Sequence, residues 1–306
     1  MIEARALSKR YGDKTAVDGL DFTVRPGMVT GFLGPNGSGK STTMRLILGL
    51  DRPTGGSVTV NGRAYAEHPA PLAEVGALLE ARSIHTGRSA RNHLLALAAT
   101  HRIGRRRVDE VLDLVGLSDV AGKRVGSFSL GMGQRLGIAA ALLADPGTII
   151  LDEPVNGLDP EGVRWVRNLL KDLAAEGRTV FLSSHLMAEM AQTAEHVIVV
   201  GKGRLIADVE TADLLAGAGG SVVVRSPESD ELRRHLLGPE VTVTSLEPGL
   251  LRVRGVGLEQ VGETARSNGL AIYELRQEQA SLEDVFMSLT SDAVEYRAGS
   301  LDGRAA

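Results

Sequence analysis

Residues 34 to 42 read Gly34-Pro35-Asn36-Gly37-Ser38-Gly39-Lys40-Ser41-Thr42, directly after the apolar run Met28 to Leu33. The spacing G-x-x-x-x-G-K-[ST] after a strand is typical of a phosphate-binding loop, whose glycines let consecutive N–H groups converge on phosphate oxygens. Lys40 is expected to act on the outer phosphates, and the hydroxyl of Ser41 to ligate Mg²⁺. A turn that only caps a helix does not require Gly-Lys-Ser at this spacing. The sequence therefore predicts that all nine residues bind a nucleoside triphosphate.

The composition limits the possible functions. The chain has 306 residues, enough for one large domain or two, and no cysteine, which excludes disulfides, thiolate metal sites and thiol catalysis. Its net charge of -4 leaves no general basic surface for a nucleic acid, which we do not expect as a partner. The start has no signal-peptide character, and no stretch approaches the roughly 18 apolar residues of a spanning helix. If the protein works at a membrane, we expect another chain to span it.

The order of patterned segments predicts an α/β fold. Two segments with helical spacing, Arg91 to His101 and Arg107 to Val115, predict a helical subdomain. Later apolar runs separated by helical stretches predict a parallel sheet covered on both faces. We therefore expect a doubly wound P-loop NTPase core with an antiparallel β subdomain. The early β-like runs are Ile2 to Leu7, Gly19 to Val24, Met28 to Leu33 and Ser57 to Val60, and the later ones are Thr148 to Leu151, Thr179 to Leu182 and His196 to Val200.

A glycine-rich stretch, Ala216 to Gly220, is typical of a junction between domains. We place a nucleotide-binding domain at residues 1–215 and a small α+β accessory domain at residues 221–292. In the accessory domain the pattern predicts the order β-α-β-β-α-β, which resembles a ferredoxin-like module, with its fourth strand from Ala271 to Arg276, followed by a final helix from Leu282. The tail at residues 293–306 is predicted to be disordered.

A second motif ends an apolar run in two carboxylates, Asp152 and Glu153, before Pro154. Strand ends are where α/β sheets place ligands. We expect Asp152 to hold Mg²⁺, directly or through water, and Glu153 to accept a proton from, or orient, the attacking water. The alternative, a capped turn before proline, does not explain the phosphate-binding loop upstream.

Three further segments carry a resemblance to a known family. They are Phe128 to Arg135 (Phe-Ser-Leu-Gly-Met-Gly-Gln-Arg), Asn156 to Pro160 (Asn-Gly-Leu-Asp-Pro), and His185 after Phe181 to Ser184. An amphipathic helix is predicted directly after the first of them, from Leu136 to Leu143. Together with the loop and the acidic strand, they resemble the ATP-binding cassette of ABC transporters over residues 1 to 215. The resemblance implies ATP and Mg²⁺ as ligands and ATP hydrolysis as the activity.

The resemblance also implies a site shared between two cassettes. Ser129 and Gly131 match the signature motif that meets the γ-phosphate held by the opposite subunit, although Phe128, Leu130 and Met132 depart from the family pattern. Asp159 matches the aspartate that crosses the dimer interface. A simpler alternative is that Ser129 and Asp159 only cap helices, and both roles are compatible.

Two other residues have roles implied by the resemblance. His185 matches the histidine that contacts the γ-phosphate, although a histidine after a strand is often structural. Tyr11 matches the aromatic residue that stacks on adenine, or else it ends a strand beside Gly12. Both are expected to contact ATP.

Glu80 stands where the family has a glutamine that senses both Mg²⁺ and the membrane partner. A glutamate can also ligate Mg²⁺, but its charge beside a polyphosphate requires a metal or shielding. The alternative is a solvated loop acid. The sequence leaves these two interpretations open.

The expected function is that of the ATPase subunit of a membrane exporter, bound to the cytoplasmic face of the membrane through a polytopic permease. Two cassettes, in the simplest case a homodimer, close around two ATP molecules. The ending Ala280 to Thr290 resembles that of drug-resistance exporter ATPases of the daunorubicin type. The alternatives are a soluble ABC ATPase acting on ribosomes or DNA, and a regulatory subunit that hydrolyses little ATP.

Overall fold

The computed structural model describes residues 1–80, 84–217, 219–278 and 281–290. The described residues divide into two compact units, one of Met1–Glu210 with Leu289 and Thr290, and one of Thr211–Ser288. The tail predicted at residues 293–306 lies outside the described residues. No helix within the described ranges is both long and apolar enough to cross a membrane.

The strands of the first unit form two sheets. One has three antiparallel strands in the order β2-β1-β4, and the other has six in the order β5-β6-β7-β3-β8-β9, where neighbours are parallel except β8 and β9. This arrangement matches the predicted antiparallel subdomain and parallel core. The strands are β1 Ile2–Tyr11, β2 Lys14–Val24, β3 Val29–Leu33, β4 Gly55–Val60, β5 Val75–Leu78, β6 Thr148–Asp152, β7 Thr179–Ser183, β8 His196–Gly201 and β9 Arg204–Glu210.

Strand β9 was not predicted. It forms a hairpin with β8 through Lys202 and Gly203, both at positive φ (48° and 79°), the geometry that two-residue hairpin turns favour.

The helices of the first unit include both predicted helices of the helical subdomain. The helix predicted from Leu136 instead begins at Leu130, because the Ser129 hydroxyl accepts a hydrogen bond from Met132 N and caps it. The helices are α1 Lys40–Ile47, α2 Pro71–Glu74, α3 Ala90–Thr100, α4 Arg105–Leu114, α5 Leu130–Leu142, α6 Pro160–Ala175 and α7 Met187–Thr193.

A buried apolar cluster joins the two sheets of the first unit. Phe22 of β2, Phe32 of β3 and Phe181 of β7 meet at its centre, with ring centroids 5.1 to 6.1 Å apart. This separation is within the range of favourable aromatic pairs. The cluster lies at the strand β3 that leads into the phosphate-binding loop, so the loop starts from a rigid base.

The second unit has the predicted order β-α-β-β-α-β. Its antiparallel sheet has the strand order β11-β12-β10-β13, and its apolar core includes Val222, Val224, Leu232, Leu251 and Val261. The fourth strand differs from the prediction of Ala271 to Arg276, since it runs Glu274–Glu278. The elements are α8 Thr211–Gly217, β10 Ser221–Arg225, α9 Ser229–Leu236, β11 Thr242–Glu247, β12 Leu250–Arg254, α10 Leu258–Ser267, β13 Glu274–Glu278 and α11 Leu282–Thr290.

Candidate ATP-binding and catalytic site

The loop of residues 34–39 connects β3 to α1. Gly37 and Gly39 have φ of 82° and 103°, where side chains are strained. At Gly39 there is also no room for a side chain, since a Cβ would meet the carbonyl oxygen of Ala16. The loop therefore needs glycine at this position. Helix α1 begins immediately after it, so its first N–H groups point to the loop.

Lys40, only 8% exposed, folds back on the loop. Its Nζ donates hydrogen bonds to the carbonyl oxygens of Gly34, at 2.6 Å, and Pro35, at 3.2 Å. Burial lowers the pKa of Lys40, and the charges of Glu153 and Asp152 oppose this shift. The ammonium group is thus placed in the loop, close to two carboxylates.

The Ser38 hydroxyl is buried and has no hydrogen-bond partner among the described residues. An unsatisfied buried hydroxyl costs free energy and calls for an explanation. A Cβ at Gly34 would collide with Ser38 Oγ, so the absence of a side chain at Gly34 leaves the space that the Ser38 side chain occupies inside the loop.

Asp152 ends β6 opposite the loop. Its Oδ2 accepts a hydrogen bond from Ser41 Oγ at 2.7 Å, and its Oδ1 accepts one from the hydroxyl of Ser183 at the end of β7. Ser41 and Asp152, two of the three residues considered as Mg²⁺ ligands, are therefore side by side. Their oxygen atoms are the donors that Mg²⁺ prefers.

Glu153 follows with an unusual backbone, at φ 52°. Its N–H donates to Ser183 O at 3.2 Å and to Ser183 Oγ at 3.1 Å. Its carboxylate Oε2 is 2.7 Å from His185 Nδ1 and accepts a hydrogen bond from His185 N at 3.3 Å. Positive φ is uncommon outside glycine and is concentrated at functional sites. The structure thus joins the two residues that the sequence predicted to act in catalysis.

A cavity of about 410 Å³ lies against these residues, within the size range of ligand pockets. Tyr11 forms one wall, and its hydroxyl donates a hydrogen bond to Asp51 Oδ2 at 2.9 Å. Burial and this bond raise the pKa of Tyr11, although 47% of the residue is exposed. The remaining lining residues are Lys14, Ala16, Asn36, Gly37, Gly39, Lys40, Ser41, Thr42, Asp152 and Glu153.

Ser129, Gly131 and Asp159 do not line this cavity. Ser129 lines a second cavity of about 420 Å³ beside Thr86 and Phe128. A Cβ at Gly131 would lie 2.9 Å from Gly157 O, so the start of α5 packs closely on the turn before Asp159. Asp159 caps α6 by accepting a hydrogen bond from Gly162 N at 2.9 Å. Both caps suggested from the sequence are present, and the two motifs lie close together.

Glu80 is exposed and does not line the cavity of about 410 Å³. It follows β5, which is parallel to β6 with Leu78 opposite Leu151. Glu80 therefore stands at the same edge of the sheet as Asp152 and Glu153.

Sequence reasoning missed three residues of the site. Lys14 and Ala16 line the cavity, but nothing in their sequence context distinguishes them. Gln134 is buried on α5, and its Nε2 donates to the carbonyl oxygen of Glu153 at 3.0 Å. Gln134 belongs to the signature segment Phe128 to Arg135, and this membership is the feature of the sequence that could have indicated a role in the site.

Comparison with known proteins decides the family. The chain is 36% identical over 299 residues to the bacitracin transport ATP-binding protein BcrA of Bacillus licheniformis, covering 94% of this chain and 97% of that one. A family model described as ABC transporter matches residues 17–156. The chain is an ATP-binding protein of the ABC transporter family. As an ABC protein it is an ATPase, which confirms the family, fold class and enzyme activity expected from the sequence.

Two further matches support this conclusion. This chain is 32% identical to the daunorubicin/doxorubicin resistance ATP-binding protein DrrA of Streptomyces peucetius, and the match covers 97% of this chain and 94% of that one. A solved dimer of an ATP-binding cassette in a post-hydrolysis state, bound to ADP and Pi, matches with a TM-score of 0.63 and 25% identity over 69% of this chain and 99% of that one. A model of a domain of unknown function matches residues 220–283.

Proposed function

We propose that this ABC protein drives a membrane exporter that removes antibiotics or similar compounds from the cell. The observation that carries the proposal is the near full-length similarity to the bacitracin transport protein, supported by the daunorubicin/doxorubicin resistance protein. The similarity extends beyond the cassette into the second unit, which general ATPase function does not require. This favours transport over an ATPase that acts on ribosomes or DNA.

In this proposal ATP lies with its phosphates in the loop of residues 34–42 and its adenine on Tyr11. Lys40 exchanges its carbonyl partners in the loop for the outer phosphates. This exchange places negative charge beside an ammonium group whose burial disfavours its charged form.

Ser41 and Asp152 are the proposed protein ligands of Mg²⁺, with Glu80 as a further candidate at the same sheet edge. When bound, Mg²⁺ supplies positive charge that neutralises the phosphate oxygens. Among the described residues no cluster of three or more histidine or acidic side chains could hold a metal alone. A site completed by phosphate oxygens and water is the usual arrangement for Mg²⁺.

Glu153 is the proposed general base, and its carboxylate accepts a proton from the attacking water. His185 contacts the Glu153 carboxylate through Nδ1, at 2.7 Å, and its other ring nitrogen, Nε2, is proposed to meet the γ-phosphate. A neutral imidazole carries one N–H, so in that form it donates to only one of these two partners at a time.

A second cassette completes the site in this proposal. Ser129 and Gly131 do not line the cavity of their own chain, which suits a role at the nucleotide of a partner. Asp159 lies beside them at the proposed interface. A second copy of the chain is the simplest partner, since one self-complementary surface then builds two sites.

The permease is proposed to be a polytopic membrane protein that holds the ABC protein at the cytoplasmic face of the membrane. The test disrupts the gene in its host and measures the growth-inhibiting concentrations of bacitracin and daunorubicin. We expect sensitivity to at least one of them, restored by the wild-type gene and not by Glu153→Gln. Copurification from detergent-solubilised membranes should recover a chain with several spanning segments. Unchanged sensitivity together with ATPase stimulation by ribosomes would refute the proposal.

A further inference from the structure

We propose that Gln134 is a positioning residue for Glu153, and that it connects the start of helix α5 to hydrolysis in the same subunit. The side chain is 3% exposed, and its Nε2 donates to Glu153 O at 3.0 Å. The inference rests on the proposed role of Glu153 as general base. It adds a residue that does not line the cavity of about 410 Å³.

The backbone of Glu153 explains why such a bond matters. At φ 52° the residue is in a region that a glutamate enters at a cost, so surrounding contacts must hold it there. On the amide side the contact is with Ser183. On the carbonyl side the partners are Asn156 N, at 3.3 Å within the same turn, and Gln134. Gln134 is thus the residue through which helix α5, which is distant in the sequence, contacts this carbonyl.

Helix α5 is itself held firmly against the sheet. A Cβ at Gly137 would lie 2.6 Å from Leu78 Cδ1, and one at Gly76 would lie 2.7 Å from Pro146 Cγ and closer to the carbonyl oxygen of Ala141. Packing this close leaves α5 and β5 little freedom to move separately. The amide of Gln134 is therefore placed at Glu153 by a helix that can shift only together with β5.

The same helix begins at Ser129, the residue proposed to meet the nucleotide of the partner. Gln134 follows five residues later, about 7.5 Å along the helix axis. A shift of α5 when its start engages the partner's nucleotide would be passed to the carbonyl of Glu153. The two composite sites would then sense each other through one helix.

A built-in probe reports whether α5 stays in place. The guanidinium of Arg135 stacks over the ring of Trp165 on α6 at 4.6 Å, and Trp165 is the single tryptophan of the chain. Its fluorescence therefore reports the contact between α5 and α6 independently of catalysis.

The test uses Gln134→Met in the full-length protein, which keeps the length of the side chain and removes its donor. Gln192→Met is the matched control, since Gln192 pairs with Arg167 on the surface. We expect kcat of Gln134→Met to fall between about 10- and 100-fold with KM changed by less than about threefold, because misplacing a catalytic group by about 1 Å has effects of this size. Trp165 emission should remain that of the wild type.

A double-mutant cycle separates positioning from general damage. In the Glu153→Gln background, Gln134→Met should change the residual single-turnover rate by less than about twofold, because the carboxylate through which it acts is gone. Equal losses in both backgrounds, or a kcat within about twofold of wild type for Gln134→Met, would overturn the inference. If Gln134→Met does not fold, Gln134→Glu replaces the donor by an acceptor of the same shape. A wild-type protein without ATPase activity would instead refute the proposed function.

Discussion

Replacing Glu153 by glutamine should slow hydrolysis by about 100-fold or more while leaving the fold intact. Glutamine has nearly the same shape, so it opens no cavity, and it accepts the same backbone geometry at φ 52°. The contact that the substitution changes joins side chains that are 23% exposed for Glu153 and 54% for His185. Pairs this exposed contribute roughly 0–1 kcal/mol. We therefore expect the free energy of unfolding to change by less than about 1 kcal/mol.

The effect on the reaction should be several times larger. General-base catalysis typically contributes about 10²–10⁴-fold, which corresponds to about 2.7–5.4 kcal/mol in the activation free energy. The assay is phosphate release at saturating ATP and Mg²⁺, with urea unfolding of the same samples. Glu161→Gln is the matched control, because Glu161 is an exposed acid in the first turn of α6.

The same variant tests the shared site. With hydrolysis blocked, the ATP-bound dimer should accumulate and be visible by size-exclusion chromatography with light scattering. A rate for Glu153→Gln within about tenfold of wild type would refute its role as general base. A protein that stays monomeric with ATP and Mg²⁺, even beside its permease, would refute the composite site.

Three further predictions follow from the packing and the site. Gly76→Ala should destabilise the protein by about 1–3 kcal/mol in urea unfolding, because the added Cβ collides with the backbone of α5, whereas Gly147→Ala, which has open space, should change stability little. Tyr11→Ala should raise KM for ATP about 2- to 13-fold, the equivalent of roughly 0.5–1.5 kcal/mol of stacking, and Tyr11→Phe should not; equal KM values for both variants would argue against stacking. Asp152→Asn should raise the Mg²⁺ concentration for half-maximal activity about tenfold or more, and an unchanged Mg²⁺ dependence would show that the carboxylate is not a ligand.

The parallel core of the fold could be predicted because its strands are buried on both faces. Every residue of β7 and four of five in β6 are buried, so each strand appears in the sequence as a continuous apolar run. Strand β9 lacks this signal, since it pairs antiparallel at the sheet edge and none of its residues is fully buried. An edge strand of this kind is specified by its partner and its turn, and hydropathy alone does not reveal it.

Strand β13 begins later in the chain than predicted, for a related reason. The apolar pair Ala271 and Ile272 suggested the strand, but Ile272 packs against the apolar core of the second unit before the strand begins. The strand itself carries Glu274, Arg276 and Glu278. These side chains form ion pairs with one another, with Arg225 on the neighbouring strand β10, and with Arg252 on β12, the next strand of the sheet. Its register is therefore set by pairing across the sheet.

The candidate site likewise contains residues that could be predicted from the sequence and features that could not. Residues adjacent in sequence, such as the loop of residues 34–42 and the pair Asp152 and Glu153, could be predicted because their spacing carries the chemistry. The positive φ of Glu153 and the approach of Gln134 depend on contacts between β6, β7 and α5. No local pattern in the sequence records such contacts.

The departure at Leu130 from the family pattern has a structural explanation that links two motifs. The residue is 46% exposed, and a Cβ at Gly157 would lie 2.5 Å from its Cγ. Gly157 also has φ 76°, a conformation that glycine adopts without strain. The large side chain of Leu130 at the start of α5 thus occupies space that is free because Gly157, in the turn before Asp159, has no side chain. Because these two motifs pack directly on each other, a substitution in either is expected to affect the same proposed interface.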